Sequence, residues 1–198
     1  TSITDPDSGT FRYVYDANGC DLLYSVSPDG QTPVSFSYVP DRHCLQSVSN
    51  ALGGTVTYSY NVMGLVTGIV DGPMSVTMSY NSEGRRTSSR RNGVLSETNR
   101  YDAFGRLAWT RNAAGLETVF TYDRLDRVTS RRTTDGGRES VVSNHYDCCF
   151  IDQVVDANGQ EWIYQFNDTG ELEWQMNPRG LVTHFGYDAF GHPTAVSN

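Results

Sequence analysis

Short segments of this chain alternate between hydrophobic and polar residues, and clusters of turn-forming residues separate the segments. In one segment Val56, Tyr58 and Tyr60 alternate with Thr57 and Ser59. Alternation with a period of two is typical of a β-strand that has one apolar and one polar face. The pattern therefore predicts repeated amphipathic strands. It recurs in six further segments, whose apolar positions are Phe11, Tyr13 and Tyr15; Val34, Phe36 and Tyr38; Val76, Met78 and Tyr80; Thr118, Phe120 and Tyr122; Trp162, Tyr164 and Phe166; and Thr183, Phe185 and Tyr187.

Aromatic residues mark the ends of these strands at a regular interval along the whole chain. In most copies Asp or Asn follows the aromatic residue, and a Gly follows two or three places later. We call these aromatic residues the anchors, and successive anchors lie 20 to 24 residues apart. This spacing predicts nine structural repeats, which must stack to bury their apolar faces. The anchors are Tyr15, Tyr38, Tyr60, Tyr80, Tyr101, Tyr122, Tyr146, Phe166 and Tyr187, of which Tyr38 and Tyr146 head degenerate copies.

A second turn precedes many of the anchors by seven or eight residues. It combines Asn or Asp with Gly, residues that tolerate a positive φ. Two turns in about 21 residues leave two segments of strand length in each repeat. Each repeat is therefore predicted to be one β-hairpin. The second turns end at Gly30, Gly53, Gly115, Gly159 and Gly180.

These features predict an all-β fold, a continuous antiparallel sheet of about nine β-hairpin repeats and roughly eighteen strands. Open sheets rarely exceed about ten strands without curling, so we expect this one to coil as a β-spiral or partial shell. Residues 1–198 form a single predicted array, with a linker over residues 1–7. We expect the array to be a segment of a longer repeat protein.

Composition and charge agree with this fold and exclude several classes of function. Val, Ile, Thr, Tyr, Phe and Trp together make up 65 of 198 residues, whereas Ala numbers 9 and Lys is absent, so strand-favouring residues outnumber helix formers. The net charge of −8 argues against nucleic-acid binding. The sequence contains no run of 18 apolar residues, so it predicts no transmembrane helix.

The anchor segments resemble the YD repeat, also called the Rhs repeat. Tyr101–Leu107 reads Tyr-Asp-Ala-Phe-Gly-Arg-Leu and matches that pattern in full. The segment from Tyr187 matches as far as Gly191, and the segment from Tyr122 carries Asp126 in place of the Gly. The resemblance extends over essentially the whole chain. The motif residues that it marks are Tyr15, Asp16, Gly19, Tyr60, Gly64, Tyr80, Gly84, Tyr101, Asp102, Gly105, Arg106, Leu107, Tyr122, Asp123, Tyr146, Asp147, Phe166, Gly170, Tyr187, Asp188 and Gly191.

The resemblance implies a structural function. YD repeats of Rhs proteins, of Tc toxin C components and of teneurins form spirals of β-hairpins that build a hollow shell. In the toxins the shell encloses a C-terminal toxic domain. By this resemblance the chain is a non-catalytic shell segment of a secreted or cell-surface protein. Its expected partners are the remaining repeats and a C-terminal effector domain, together with other copies through its edge strands.

Several residues could indicate a metal site, a cleavage site or a catalytic site. The repeated Asp after the anchor could indicate calcium, but Asn replaces it freely, and an Asx side chain that bonds the turn backbone explains both facts. Asn177–Leu181 is similar to the cleavage motif of Rhs shells, although an ordinary turn is expected at that place. The sequence contains no GxSxG or GxxxxGK[ST] motif, so we expect no enzyme, cofactor or metal.

An alternative function is an extracellular adhesion or carbohydrate-binding module. Exposed residues of the aromatic stripe could bind sugars, and a local basic patch could meet an acidic partner, a glycan or a cell-surface protein. The candidate ligand-binding residues of this patch are Arg85, Arg86, Arg90 and Arg91. The same residues could equally be a solvated face, because Glu83 and Glu97 lie nearby in sequence.

The four cysteines leave three possibilities open. Cys20, Cys44, Cys148 and Cys149 show no CxxC or zinc-like spacing. They could be free thiols, or Cys20 and Cys44 could form a bridge between neighbouring strands. Cys148 and Cys149 could also form a strained disulfide between adjacent residues.

Overall fold

A computed structural model describes residues 2–5, 9–28, 30, 34–40 and 42–197, and for residues 2–5 and 9 it describes the backbone only. The described residues form β-strands joined by turns and contain no helix, so the predicted all-β antiparallel fold class is confirmed. The chain divides into two compact units, Thr1–Thr98 and Asn99–Asn198. Residues 1, 6 and 7 of the predicted linker lie outside the described residues.

The first unit is a series of strands that follow one another directly along the chain. Each strand pairs antiparallel with the next one, from β1 through β10. The strands are β1 (Ser2–Asp5), β2 (Gly9–Tyr15), β3 (Leu22–Val26), β4 (Val34–Val39), β5 (Cys44–Ser49), β6 (Thr55–Tyr60), β7 (Val66–Asp71), β8 (Met74–Tyr80), β9 (Arg86–Arg91) and β10 (Val94–Tyr101), which crosses into the second unit.

The second unit has the same topology. Its strands also pair antiparallel in chain order, from β11 through β19. They are β11 (Leu107–Asn112), β12 (Glu117–Tyr122), β13 (Val128–Asp135), β14 (Arg138–Tyr146), β15 (Ile151–Val155), β16 (Glu161–Phe166), β17 (Leu172–Met176), β18 (Val182–Tyr187) and β19 (Pro193–Ser197).

Alternating exposure follows the alternating sequence. In β6 the threonines and Ser59 are exposed, whereas Val56, Tyr58 and Tyr60 are half-buried. In the described part of the chain no hydrophobic side chain is fully buried. Each unit therefore gains its contacts mainly between neighbouring strands, and its apolar side chains remain partly accessible to solvent.

The predicted linker at the start of the chain is wrong in part. Ser2–Asp5 forms β1 and pairs with β2, with Ser2 opposite Arg12 and Asp5 opposite Gly9. Strand formation here depends on pairing with a neighbouring strand, which a local reading of this short segment does not reveal.

Three hairpins close through two-residue turns that lie outside the second-turn pattern of the sequence, and the Gly136–Gly137 pair of one of them is expected from sequence to form a turn. Asp71 pairs with Met74, Arg91 with Val94, and Asp135 with Arg138. At the second of these turns Asn92 has a φ of 49° and Gly93 one of 78°. Positive φ at both central residues matches the right-handed twist of the flanking strands.

Candidate functional site at the anchor turns

The turn after most anchors is closed by a single Asp or Asn side chain. At Asp102 the backbone N–H donates to the Arg106 carbonyl at 2.9 Å, and the Gly105 N–H donates to the Asp102 carbonyl at 3.0 Å. Oδ1 of Asp102 also accepts the N–H groups of Phe104 and Arg106, both at 2.9 Å. The same pair of Oδ1 contacts, to the second and fourth following residues, occurs at Asn61, Asn81, Asp123, Asn167 and Asp188.

The second turns use this device as well. Asn50 accepts from the N–H groups of Leu52 and Gly54, and Asn177 accepts from those of Arg179 and Leu181. The segment that is similar to a cleavage motif thus forms the same turn as the others. One acceptor oxygen is sufficient for these contacts, which is why Asn and Asp replace one another.

In the turns that carry a glycine at the fourth position after the anchor, this glycine adopts a left-handed backbone conformation. The φ angles of Gly64, Gly84 and Gly105 are 78°, 78° and 85°. Asp126 stands at this position in its own turn with a φ of 63°. A left-handed conformation is unusual for a residue with a Cβ atom, although Asp tolerates it better than most.

The anchor tyrosines tie each repeat to the repeat before it. The hydroxyl of Tyr60 donates to the Leu45 carbonyl at 2.6 Å, and that of Tyr122 donates to the Leu107 carbonyl at 2.8 Å. In each case the acceptor lies at or near the start of the strand that follows the previous anchor. Equivalent bonds are made by Tyr38, Tyr80, Tyr146 and Tyr187.

Phe166 is the anchor that has no hydroxyl group. Its ring stacks on Phe150, with 4.6 Å between the centroids and 21° between the planes. Phe150 belongs to the preceding anchor turn. A ring contact therefore joins two repeats where the hydroxyl bond is impossible.

Two arginines in the second unit link consecutive anchor turns, and we call this arrangement the arginine clamp. Arg106 donates through Nε to Oδ2 of Asp102 at 2.7 Å and through Nη1 to the Asp123 carbonyl at 2.9 Å. The same Nη1 donates to Oδ1 of Asp126 at 2.8 Å. The guanidinium lies 4.6 Å from the ring centroid of Tyr122, which is within the range of a cation–π contact.

Arg127 forms a second clamp in the next repeat. Its Nε donates to Oδ2 of Asp123 at 2.7 Å, and its Nη1 donates to the Cys148 carbonyl at 3.0 Å. Its guanidinium lies 4.3 Å from the centroid of Tyr146. Neither Arg127 nor Asp126 belongs to the motif residues selected from sequence. The signal for Arg127 was its spacing of four residues from Asp123, which equals that of Arg106 from Asp102.

The clamps and turns shift the pKa of their acids. Burial raises the pKa of Asp102, but hydrogen bonds from the backbone and guanidinium of Arg106 outweigh burial and lower it overall. Asp123 behaves in the same way with Arg127. The backbone N–H groups of His192 and Phe190 lower the pKa of Asp188. Each carboxylate is therefore stabilised in its charged form by the turn that it closes.

In the clamps, Arg106 and Arg127 lie four residues after the Asp that closes the turn. The same position is filled differently in the other turns. Leu65 and Arg85 stand there after Asn61 and Asn81, and Arg85 forms an ion pair with Glu83 of its own turn. Glu171 accepts from Nδ2 of Asn167 at 2.8 Å. His192 lies 3.1 Å from Oδ2 of its own Asp188. The ion pair of Arg85 and the contacts of Glu171 and His192 lie within one turn.

Turn length differs in the first repeat and in the two copies that the sequence marks as degenerate. Tyr15 pairs with Leu22 and Tyr38 with Leu45, whereas the regular anchor Tyr60 pairs with Val66, six residues on. Tyr146 pairs with Ile151, one residue earlier than in the regular turn. In the first of these turns Oδ1 of Asp16 accepts the N–H groups of Cys20 and Asp21. The N–H of Asp21 is the largest cause of the lowered pKa of Asp16.

The four arginines of the predicted ligand-binding patch lie at β9 and the turn before it. Arg85 pairs with Glu83, and Arg86 donates to Glu97 at 2.7 Å. Arg90 donates to the Gly93 carbonyl at 3.4 Å, and Arg91 is exposed at the end of the strand. Two of the four positive charges are thus compensated, which reduces the attraction of the patch for an anion.

Neither a metal cluster nor a membrane-spanning helix occurs in the part of the chain that the structure describes. No three His, Cys, Asp or Glu side chains converge there to hold a metal ion. Within the same residues no helix is long and apolar enough to cross a membrane. All four cysteines are thiols.

Comparison with known proteins agrees with this geometry. Residues 101–138 match the family model of the RHS Repeat, and this stretch contains the first arginine clamp and the Asp123–Arg127 pair of the second. No curated protein sequence matches the chain significantly. The match to the family therefore comes from the repeat in which the motif is complete.

Solved structures share the fold over nearly the full chain. A crystal structure of TcdB2-TccC3 without its hypervariable C-terminal region matches 98% of the chain with a TM-score of 0.77 at 16% identity. The Tc holotoxin pore of Photorhabdus luminescens with a TccC3 mutation matches 98% with a TM-score of 0.61 at 11% identity. The chain spans 12% and 15% of the lengths of those chains.

The sequence match and the shared fold lead to one conclusion. Residues 101–138 carry the family's motif, and the antiparallel hairpins on both sides repeat its turns and its anchor contacts. Residues 101–138 therefore match the RHS repeat, and the described chain as a whole shares the fold of the TcdB2-TccC3 structure.

Proposed function

We propose that this chain is a non-catalytic structural segment of a β-shell, in which residues 1–198 form a single array of repeats. The shell encloses or displays a C-terminal toxin or effector domain of a longer, secreted or cell-surface protein. The observation that carries the proposal is the bonding of the motif residues. Tyr, Asx and Arg of the repeat bind neighbouring turns and strands, and this arrangement suits a wall better than a reaction site.

The partly accessible apolar side chains support a role that depends on neighbours. No described hydrophobic side chain is buried, although the anchor strands carry a regular apolar face. A stable repeat array buries such faces against adjacent repeats. The remaining repeats and the effector domain of the parent protein are the partners proposed to supply that contact.

The outermost described strand of the second unit supports the proposal of strand pairing with a further chain. β19 pairs with β18, and all five of its residues are exposed. Exposed edge strands are templates for pairing, and charged side chains on an edge oppose it. We therefore expect the isolated chain to self-associate through such an edge.

Size-exclusion chromatography with light scattering over a range of concentrations tests this expectation. The chain should form dimers or larger assemblies as its concentration rises, and Val196→Lys in β19 should shift them toward monomer. Val62→Lys is the matched control, because Val62 is 89% exposed at a turn tip and lies outside the strands. A monomer at all concentrations, or equal effects of the two variants, would overturn the edge-pairing proposal.

Enclosure is tested in the longer parent protein. The rate of protease digestion of its effector domain is compared with the rate for the same domain expressed separately. Enclosure predicts much slower digestion within the parent, whereas equal rates argue against it. A glycan-binding screen of the chain separates the shell from an adhesion module, because saturable glycan binding would favour the module.

A further inference from the structure

The anchor turn between β14 and β15 differs chemically from the other turns. It reads Asp147-Cys148-Cys149-Phe150 and contains no Gly. Tyr146 pairs with Ile151, so the turn is one residue shorter than the regular anchor turn. Two adjacent thiols therefore take the place of a standard Asx–Gly turn.

Both thiols are exposed and in contact with each other. The Sγ atoms of Cys148 and Cys149 are 2.6 Å apart, and both residues are exposed to solvent. They line an open cleft of about 400 Å³, together with Phe166 and Asn167. A small thiol or disulfide compound can reach either sulfur through this opening.

We propose that Cys148 and Cys149 are a reversible oxidation site, at which small disulfides of the glutathione class convert the two thiols into a disulfide between adjacent residues. One thiolate attacks the small disulfide, forms a mixed disulfide and releases one small thiolate. The other cysteine thiolate attacks the mixed disulfide at the protein sulfur and releases the second. Two protein thiols are oxidised, one small disulfide is reduced to two small thiols, and the cysteine protons pass to those thiols.

Adjacency makes this bond labile once it has formed. Neighbouring Cα atoms across a trans peptide are about 3.8 Å apart. Most disulfides join Cα atoms about 4.4 to 6.8 Å apart, so one between adjacent residues is strained. Strained and exposed disulfides are reduced easily and are typical of regulatory sites.

The oxidation site is connected to the second arginine clamp. The carbonyl that accepts Nη1 of Arg127 belongs to Cys148, and its peptide group joins the two cysteines. A disulfide encloses this peptide group in a small ring and changes its orientation. Oxidation should therefore weaken the bond from Arg127 and loosen the joint between the repeats anchored at Tyr122 and Tyr146.

Hydrogen bonding to Cys149 is the largest cause of a raised pKa at Cys148. A raised pKa lowers the fraction of thiolate, which is the attacking species. Attack by Cys148 on a small disulfide should therefore be slow at neutral pH and faster as the pH rises.

The test exposes the full chain to mixtures of oxidised and reduced glutathione, followed by alkylation, intact mass and peptide mapping. The expected product is a chain lighter by two hydrogens, with the crosslink between Cys148 and Cys149, that reduced glutathione reverses. Cys148→Ser and Cys149→Ser should instead accumulate a glutathione adduct on the remaining thiol. A stable adduct on the unmodified pair, a bridge to Cys20 or Cys44 only, or no reaction would overturn the proposal.

Hydrogen exchange tests the link to the clamp. Oxidation should raise the exchange rate of amides at the β14–β15 turn roughly tenfold, as expected for loss of one hydrogen bond to a charged group. The turn after Tyr60 is the internal control and should not change. In Arg127→Gln the bond is already absent, so oxidation should add little. An equal increase in Arg127→Gln would overturn the coupling while leaving the oxidation site intact.

Discussion

The anchor turns at Asn61 and Asn81 in the first unit compare directly with those at Asp102 and Asp123 in the second. All four close with the same two bonds from Oδ1 to the turn backbone, at 2.8 to 3.1 Å. The two aspartates add a bond from Oδ2 to an arginine that reaches the next repeat. Asn and Asp are therefore equivalent in closing a turn, and Asp can in addition hold an arginine that joins two repeats.

The two side-chain atoms of the Asx residue have different roles, one in closing the turn and one in binding the arginine. The first carboxylate or amide oxygen shapes the hairpin, which every repeat needs. The second carboxylate oxygen accepts Nε of the arginine, and an amide nitrogen at that place cannot accept it. Arg42 of the first unit does reach the carbonyl of Asn61 at 3.1 Å, but its own turn provides no equivalent Oδ2 contact among the described residues.

Removal of the anchor ring should produce the largest effect and should sharpen the comparison. Tyr122→Ala deletes a half-buried ring, a hydroxyl bond and the stacking surface of Arg106, so we expect a loss of about 3 kcal/mol in the free energy of unfolding. Tyr60→Ala deletes the ring and the hydroxyl bond but no guanidinium contact. Its loss should be smaller by about 0.5 to 1 kcal/mol, the worth of a cation–π contact near the surface. Urea denaturation monitored by circular dichroism measures both, and a larger loss in Tyr60→Ala would contradict the role of the clamp.

Removal of a clamp arginine should have an intermediate effect. Arg106→Gln eliminates the ion pair with Asp102, the bonds to the next turn and the ring contact, and it should lower the Tm by several degrees. Arg132→Gln is the control, because Arg132 forms a surface ion pair with Glu139 across its own hairpin. Arg132→Gln should change the Tm by much less. If thermal denaturation gives equal shifts, the bonds between repeats contribute no more than a surface ion pair.

Exchange of the turn residues should have the smallest effect and the most specific one. Asp102→Asn retains both Oδ1 bonds and loses the bond to Nε of Arg106, so the Tm should fall slightly at neutral pH. Asn61→Asp retains the turn and gains no arginine, so its Tm should hardly change. A large loss in Asn61→Asp would show that Asn and Asp are not equivalent in turn closure.

The effect of Asp102→Asn should also depend on pH. The pKa of Asp102 is lower in the folded state than its ordinary value of 3.8. A lowered pKa stabilises the fold above the ordinary value, and this contribution disappears as the pH falls through the folded pKa. The difference in Tm between Asp102→Asn and the unmodified chain should therefore shrink as the pH decreases below about 3.8 and toward the folded value. If the difference in Tm stays the same well below that pH, the stabilisation does not come from the charge of the Asp102 carboxylate.

Local sequence patterns were sufficient for the strands and for most turns. The alternation in β6 and the Asx–Gly pairs after Tyr60 and Tyr101 act through neighbouring residues, and their geometry is what those residue types favour. The two-residue turn at Asn92–Gly93 was not predicted, because its repeat lacks the second-turn pattern that ends at Gly30, Gly53, Gly115, Gly159 and Gly180 in other copies. Strand β1 was not predicted, because so short a segment becomes a strand only when it pairs with a neighbouring strand.

The bulge beside each regular anchor could not be read from sequence. Tyr60 pairs with Val66 and Ser59 with Gly68, so one extra residue lies in the strand after the turn. The same shift occurs at Tyr80, Tyr122 and Phe166. Register depends on hydrogen bonds between two strands, and a bulge increases the local twist of the sheet.

By itself, the sequence determined the repeat, its hairpin, and the turn that each Asx residue closes, because these depend on contacts within a few residues. Only the tertiary structure decided which side chains join one repeat to the next. The Tyr122 hydroxyl, the Arg106 and Arg127 guanidiniums, and Asp126 meet acceptors or donors 15 to 21 residues away. Pairings at that distance depend on strand register and on the length of every intervening turn, and local residue preferences do not specify either of them.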